Sequence, residues 1–325
     1  MRRIHRVAFL AAVGVTWLPA PTAAESLAIS TRPVELHPED SSVRDVGALE
    51  FRGGLDFTSR DRRFGGLSAL AVNRSGKRLL ALTDKGYWVE FVVTYDASGD
   101  LSGIDEARIG ELGDLVAGSV AGSELGDAEA IAPTKDGYAV GFESRHRVWL
   151  YRKIGTTEFG KPQALRPPRR LHHAPANGGI EALAMLADGR LLALTERLNV
   201  DEGHVRGWIT GGRDCRRLRY RLTGRFVPTG AATLAGGDVL VLERRFTWMG
   251  GFASRVVRVR RDHIRAGAAL EGSEIATIDL PLTVENFEGI AVRPIPGGSA
   301  YVYLISDDNF HTLQRTLLLM FEYRG

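Results

Sequence analysis

Acids recur at matching points along this chain, and bases follow several of them directly. Glu129 and Glu143, Glu181 and Glu196, and Glu288 and Asp307 form three pairs, each opening and closing a two-part apolar phrase. Asp84 and Glu243 close two further copies, in which Ser68 and Gly230 stand at the opening position. Lys85, Arg145, Arg197, Arg244 and Arg245 come immediately after these closing acids or one residue later. Carboxylates gathered at one place repel, so some must take up protons, pair with bases or bind cations. Glu288, Asp307 and Asp308, beside Asn286 and Asn309, supply hard oxygen donors of the kind that suits Ca²⁺. The candidate metal ligands are therefore Asp84, Glu288, Asp307 and Asp308. Glu129, Glu181 and Glu288 are candidate catalytic acids or bases. Lys85, Arg145, Arg197, Arg244 and His311 are candidate contacts to an anionic group, such as a phosphate ester or sugar phosphate. The same acids could instead be structural, tying neighbouring strands together in ion-pair networks.

The elements that would position these residues are strands. The phrase begins at Gly66, Asp127, Gly179, Thr229 and Phe287, at a loose period of about 50 to 60 residues, which is how a β-propeller looks in sequence. Short apolar runs such as 69–72, 78–82 and 87–94 are separated by turn clusters, among them Asn73-Arg74-Ser75-Gly76 and Asp84-Lys85-Gly86. In a propeller blade the inner strand starts at one face of the ring, and the second strand returns to that face. Opening and closing acids would then meet at one mouth of the central channel. The expected fold is all-β: a single β-propeller with five visible blades, or six if 27–57 carries a degenerate one. A strand at 48–57 is expected to complete the last blade and close the ring, because an open sheet edge is a liability. No helix longer than two turns is expected.

Composition narrows the class. Residues 1–24 read as a secretion signal: Arg2, Arg3 and Arg6, an apolar run over 7–18, then Thr22-Ala23-Ala24. The propeller is expected over 25–325, exported to the periplasm or beyond, without a membrane span and as a monomer. The chain holds 42 Lys+Arg against 39 Asp+Glu, and the three signal arginines account for the whole excess. Nucleic acid is therefore not an expected partner. With Cys215 as the lone cysteine, no intramolecular disulfide forms. There is no P-loop, HExxH or EF-hand pattern, so Ca²⁺ is the one cofactor considered and no nucleotide or organic cofactor is expected. Ser68 lacks the second glycine of a nucleophile elbow. His172, His173 and His204 lie in loops. Trp88, Trp149 and Trp208 read as core, whereas Trp248-Met249-Gly250-Gly251-Phe252 could wall the mouth.

Two stretches carry a family resemblance. Phe64-Gly65-Gly66-Leu67-Ser68-Ala69-Leu70 with Leu80-Ala81-Leu82-Thr83-Asp84-Lys85-Gly86 resembles the opening of the bacterial esterase-like phytase domain. Asn286-Phe287-Glu288-Gly289-Ile290-Ala291 and Leu304-Ile305-Ser306-Asp307-Asp308-Asn309-Phe310 resemble its C-terminal signature. The resemblance implies a propeller that hydrolyses phosphate or carboxylic esters. Similarity to the multi-calcium β-propeller phytases is architectural, and the first and fourth repeats lack the opening Glu. The functional expectation is a divalent-cation-assisted hydrolase. A binding propeller without turnover and a lactonase-type sugar enzyme remain as alternatives.

Overall fold

The computed structural model describes residues 24–325 apart from 117, 155–157, 160, 169 and 212–213. The proposed signal over 1–24 therefore lies almost wholly outside the described residues. Five sheets stand in a ring, and each follows the period-2 alternation that buries one side of a strand against the next sheet. Their inner strands are Leu67–Val72, Ala128–Pro133, Ile180–Met185, Val227–Thr233 and Phe287–Pro294. Each of these neighbours the next around the channel, and the fifth returns to the first. Among the described residues the helical content is two 3₁₀ turns, Leu171–His173 and Arg261–His263.

The fifth blade is built from both ends of the propeller. Thr316–Tyr323 pairs antiparallel with Leu49–Thr58, in register from Thr316 opposite Phe57 to Tyr323 opposite Leu49. Ser30–Val34 adds a further strand outside it. Glu25–Ser26 pairs instead with the outer strand of the first blade, so the segment between them crosses the seam. Buried aliphatic and aromatic side chains fill the space between adjacent blades, including Trp88, Trp149 and Trp208, as their positions in the strands imply. Cys215 is half-buried on an outer strand.

One irregularity repeats five times. Where each inner strand meets the second strand, one extra residue is inserted on the inner side. Leu67 and Ala69 face Thr83 and Leu82, which leaves Ser68 as the bulged residue. Glu129, Glu181, Thr229 and Glu288 are skipped in the same way in the other blades. A β-bulge kinks its strand and re-aims the side chain, and here it turns five side chains into the channel. The five bulged residues line a waist of about 10 Å³, room for about one water.

The bulge also fixes which residues are equivalent, and it corrects the fourth repeat. The residue immediately beyond the bulge pairing is Asp84, Glu143, Glu196 and Asp307 in blades one, two, three and five, and Arg244 in blade four. Glu243, expected at the mouth, lies one residue earlier on the opposite side of its strand. It is buried between blades, where Tyr220 Oη donates to it at 2.7 Å and Arg255 at 2.6 Å. Thr229, not Gly230, occupies the opening position. Gly230 is needed for close packing, because a Cβ there would lie 2.7 Å from the carbonyl oxygen of Glu288. A one-residue slip moves a strand residue to the other face, so Glu243-Arg244 reads wrongly when matched by acid alone.

Candidate functional site

The mouth has two tiers. The lower tier is the waist: Ser68, Glu129, Glu181, Thr229 and Glu288. The upper tier is Asp84, Glu143, Glu196, Arg244 and Asp307, one from the second strand of each blade. In the two blades without an opening Glu, the hydroxyls do structural work. Ser68 donates to the carbonyl of Ala128, and Thr229 donates to the carbonyl of Phe287 at 3.3 Å. Each therefore ties its blade to the same point of the next one.

The waist glutamates behave differently. Glu129, Asp127 and Glu143 present carboxylate oxygens that all lie within 4.8 Å of one another. Among the described residues no other group of Asp, Glu, His or Cys converges in this way. Glu143 is buried, and one of its oxygens accepts the backbone N–H groups of Gly178, at 2.7 Å, and of Gly179. Those bonds hold the acid of blade two against the start of blade three. Burial pushes the carboxyls of Glu129 and Glu181 well above the usual range, and neighbouring carboxylates push them further. A hydrogen bond links Glu181 to Glu143, favouring the protonated form of Glu181 and the ionised form of Glu143. The two thus share a proton across the seam between blades.

A second carboxyl pair lies in blade five. Burial raises Asp307 well above its ordinary range, and the charge of Glu288 adds to this. Glu288 is raised less, because Arg244 and Asn286 oppose the cost of its burial. Arg244 donates to Glu288 at 2.7 Å, to Asn286 Oδ1 at 2.6 Å and to Glu196 at 3.0 Å. It is one guanidinium set in a ring of acids, held fully charged by them. Its place in the ring is that of the missing fourth acid, so charge compensation is built into the fold at that position.

The other expected residues occupy the rim. Asp84 is pushed up to about 7, mainly by burial and then by Asp127, Glu288 and Asp308, with Lys85 opposing. Its Oδ1 is buried without a hydrogen-bond partner. The Lys85 ammonium sits 2.8 Å from the centre of the Phe310 ring. Asp308 is committed to the loop: Oδ1 accepts from the backbone of Gly66 at 2.9 Å and of Phe310 at 3.0 Å, and Oδ2 accepts from Thr316 Oγ1 at 2.9 Å. The two stretches that carry the family resemblance therefore interlock across the seam between blades one and five. Gly66 has φ +60°, and a Cβ there would lie 2.5 Å from the Phe310 ring. Asp307 accepts from the backbone of Asn309 at 2.6 Å. Arg145 is exposed. Arg197 is exposed and pairs with Glu196 at 2.8 Å. His311 lies in an exposed turn, where its Nδ1 accepts from the backbone of Leu313 at 3.3 Å. The Trp248 loop does not wall the mouth; its tip projects into solvent.

The structure adds two residues to the site. Asp127 stands at the start of the second copy in the sequence, but only the bulge shows its carboxylate beside Glu129 and Glu143. His146 follows Glu143 by three residues and packs over Gly179, beside the Glu143 carboxylate. Its Nε2 lies 3.0 Å from the carbonyl of Pro175, which makes Nε2 the donor, and its Nδ1 is buried with no partner. A histidine next to a closing acid was the available sequence signal.

Beneath the waist the channel turns apolar. Leu70, Ile131, Leu183, Ala231 and Ile290 form a plug, and beyond it opens a cavity of about 250 Å³ lined by Val72, Pro133, Met185 and Val292.

No curated protein matches the sequence. Among solved structures, the PQQ-bound aldose sugar dehydrogenase of Streptomyces coelicolor is 14% identical, with a TM-score of 0.42 over 93% of this chain and 100% of that one. The glutaminyl cyclase of Myxococcus xanthus is 11% identical, with a TM-score of 0.41 over 80% and 92%. A luciferin-regenerating enzyme is 9% identical, with a TM-score of 0.39 over 80% and 92%. Likenesses this distant carry no inference about activity. The sequence model of the phytase-like family, described as esterase-like activity of phytase, matches residues 62–310, and the chain belongs to that family.

Proposed function

We propose that the chain is an exported, divalent-cation-assisted hydrolase of phosphate or carboxylic esters, working at the acidic mouth. The observation that carries this is the convergence of Asp127, Glu129 and Glu143, three carboxylates within 4.8 Å beside a waist that holds about one water. An all-oxygen donor set of this kind fits a hard cation such as Ca²⁺. Bound there, the cation would supply Lewis acidity toward an ester oxygen and lower the pKa of a nearby water.

The chain's own groups would do the rest. The bonds from Gly178 and Gly179 fix Glu143, so the donor set is preorganised. Glu181 holds a proton against Glu143 and is placed to return it to a leaving oxygen. The unpartnered Nδ1 of His146 is a second proton acceptor beside the same carboxylate. Arg145, Arg197 and Lys85 on the rim would receive the anionic part of a substrate, while Arg244 pairs with Glu196 and Glu288 and opposes the rise that burial imposes on Glu288. An ester cannot enter the waist itself, so reaction would take place above it, with only the attacking water inside.

One observation favours a binding propeller without turnover. The hydroxyls of Ser68 and Thr229 are spent on neighbouring carbonyls, so the waist offers no hydroxyl nucleophile. Assays on p-nitrophenyl phosphate, phytate and short acyl esters, with Ca²⁺ and with EDTA, separate the two. Turnover that needs the metal and disappears in Glu129→Gln supports the hydrolase. Thermal stabilisation by Ca²⁺ and a phosphorylated sugar, without consumption of the sugar, supports binding alone.

A further inference from the structure

Six large hydrophobic side chains stand exposed among the described residues, and all six lie on one face. Val116, Phe246, Trp248, Met249, Leu280 and Leu313 occupy connections at the mouth end of the ring. They sit respectively between blades one and two, in the hairpin of blade four, between blades four and five, and in the 307–315 loop of blade five. The far-end connections that are described carry none; the 212–213 connection and most of the one over 155–160 lie outside the described residues. Single exposed apolar residues are ordinary, but their restriction to one face is not explained by folding.

The hairpin of blade four is built to project. Its strands stay paired from the level of Arg244 out to Thr247 opposite Gly251, three residues beyond the mouth, or about 10 Å of extra reach. Trp248 is 95% exposed and Met249 102% exposed at the tip. Behind them Phe246 packs against Phe252 at 4.9 Å and against Trp248 at 5.8 Å. Thr247 Oγ1 accepts the backbone N–H of Gly250 at 3.0 Å, which stiffens the turn. The tip is therefore preformed and covered by nothing in its own chain.

Charge on the same face points to the occupant. Arg60, Arg62, Arg145, Arg170 and Arg225 are exposed on the mouth-side connections, and none makes an ion pair with a described carboxylate. The same connections expose Glu124, Asp201, Glu202 and Asp279, of which Asp201 is paired with His204 and Arg219, so the unpaired exposed charge set against these five arginines is three acids. A protein interface gathers its apolar residues into a core depleted of charge. Here separate apolar projections stand among unpaired arginines, the pattern of side chains that sit at a headgroup boundary. We propose that the mouth face docks on an anionic lipid surface, with Trp248 and Met249 inserted and the arginines on lipid phosphates. No helix of the described residues is long and apolar enough to cross a membrane, so this is adsorption rather than spanning. Docking does not depend on the hydrolase reading and is tested without any assay of turnover.

The test is cosedimentation of the purified protein with phosphatidylcholine vesicles, with and without phosphatidylglycerol, at low and high salt. Binding should require phosphatidylglycerol and weaken as salt rises. A Trp248→Ser, Met249→Ser double variant should bind about tenfold more weakly with unchanged circular dichroism. Arg145→Gln and Arg225→Gln together should weaken binding at low salt by about fivefold per charge. If the double variant misfolds, brominated lipid should still quench wild-type tryptophan emission, and Trp248→Phe should lose that quenching. The proposal is overturned by absence of pelleting, by equal pelleting on pure phosphatidylcholine, or by an unchanged double variant. A doubled solution mass that the double variant abolishes, with no vesicle binding, would also overturn it and assign the face to a second copy of the chain.

Discussion

The two ends of the channel are made by the same five strands, yet they differ in nearly every physical respect. At the mouth, bulges turn Glu129, Glu181 and Glu288 inward, and burial raises their carboxyls. Two residues further along the same strands, Ile131, Leu183 and Ile290 close the channel with hydrocarbon. The mouth gathers buried carboxylates, whereas the charged groups lining the far cavity are Arg74 and Arg293. An aliphatic layer beneath the acids also keeps bulk water from screening them from below, which strengthens every interaction in the waist. The contrast teaches that the bulge, not the acid alone, makes the site.

Substitutions should divide along this contrast. The largest expected effect is from Arg244→Gln, which leaves Glu288 buried without its cation and Glu196 with Arg197 alone. It should cost about 3–5 kcal/mol at pH 8, read from urea midpoints, and less at pH 5, where Glu288, whose carboxyl burial already raises, can protonate. If the loss is the same at both values, Arg244 is not the counter-charge of the ring. Glu129→Gln should lower Ca²⁺-dependent ester hydrolysis by on the order of 10²–10³-fold while leaving the fold intact. Met185→Leu in the far cavity should stay within about twofold of wild type. Comparable activity losses at both ends would erase the distinction.

Two smaller effects sharpen it. Gly179→Ala places a methyl against His146 and the Glu143 carboxylate, and should cost about 1–3 kcal/mol together with loss of Ca²⁺ stabilisation in a thermal-shift assay. Asp84 tests the burial of a carboxyl directly. Its folded-state value of about 7 lies above its ordinary 3.8, so the folded state binds the extra proton between those values. Its contribution is therefore lost as pH rises from about 4 to about 7, and is flat above that. Asp84→Asn should raise stability by on the order of 1–2 kcal/mol at pH 8 and leave it unchanged at pH 4. A variant destabilised at pH 8 would mean that the ionised Asp84 is paired.

The ring was legible because strand alternation and turn residues are local signals. Asn73 to Gly76 and Asp84 to Gly86 mark hairpins without any tertiary context, and 48–57 was recognisable as the closing strand for the same reason. The acids at the mouth were legible as a set, but their partners were not. An inserted residue shifts the register without changing composition, so Glu243 read as the fourth closing acid when Arg244 holds that place. Long-range partners leave no local trace at all. Asp308 reads as a metal donor, yet its oxygens are spent on Gly66, Phe310 and Thr316. The value of His146 depends on a carbonyl 29 residues away in sequence.

Closure of the ring by 49–58 against 316–323 has a consequence for when the site can exist. The lock of Asp308 on Gly66 and Thr316 exists only once blade five is closed and meets blade one, and the strand that closes it is among the first parts of the propeller to be made. Joining the two means closing a loop that spans nearly the whole ring, at an entropic cost that grows only slowly with its length. A growing chain can therefore pair its middle blades while the acidic pocket is still incomplete. Closure of the seam would then mark completion: a chain stalled or clipped before residue 316 should keep much of its strand content, with Arg244 and Glu288 present, and lack the Thr316 anchor of Asp308.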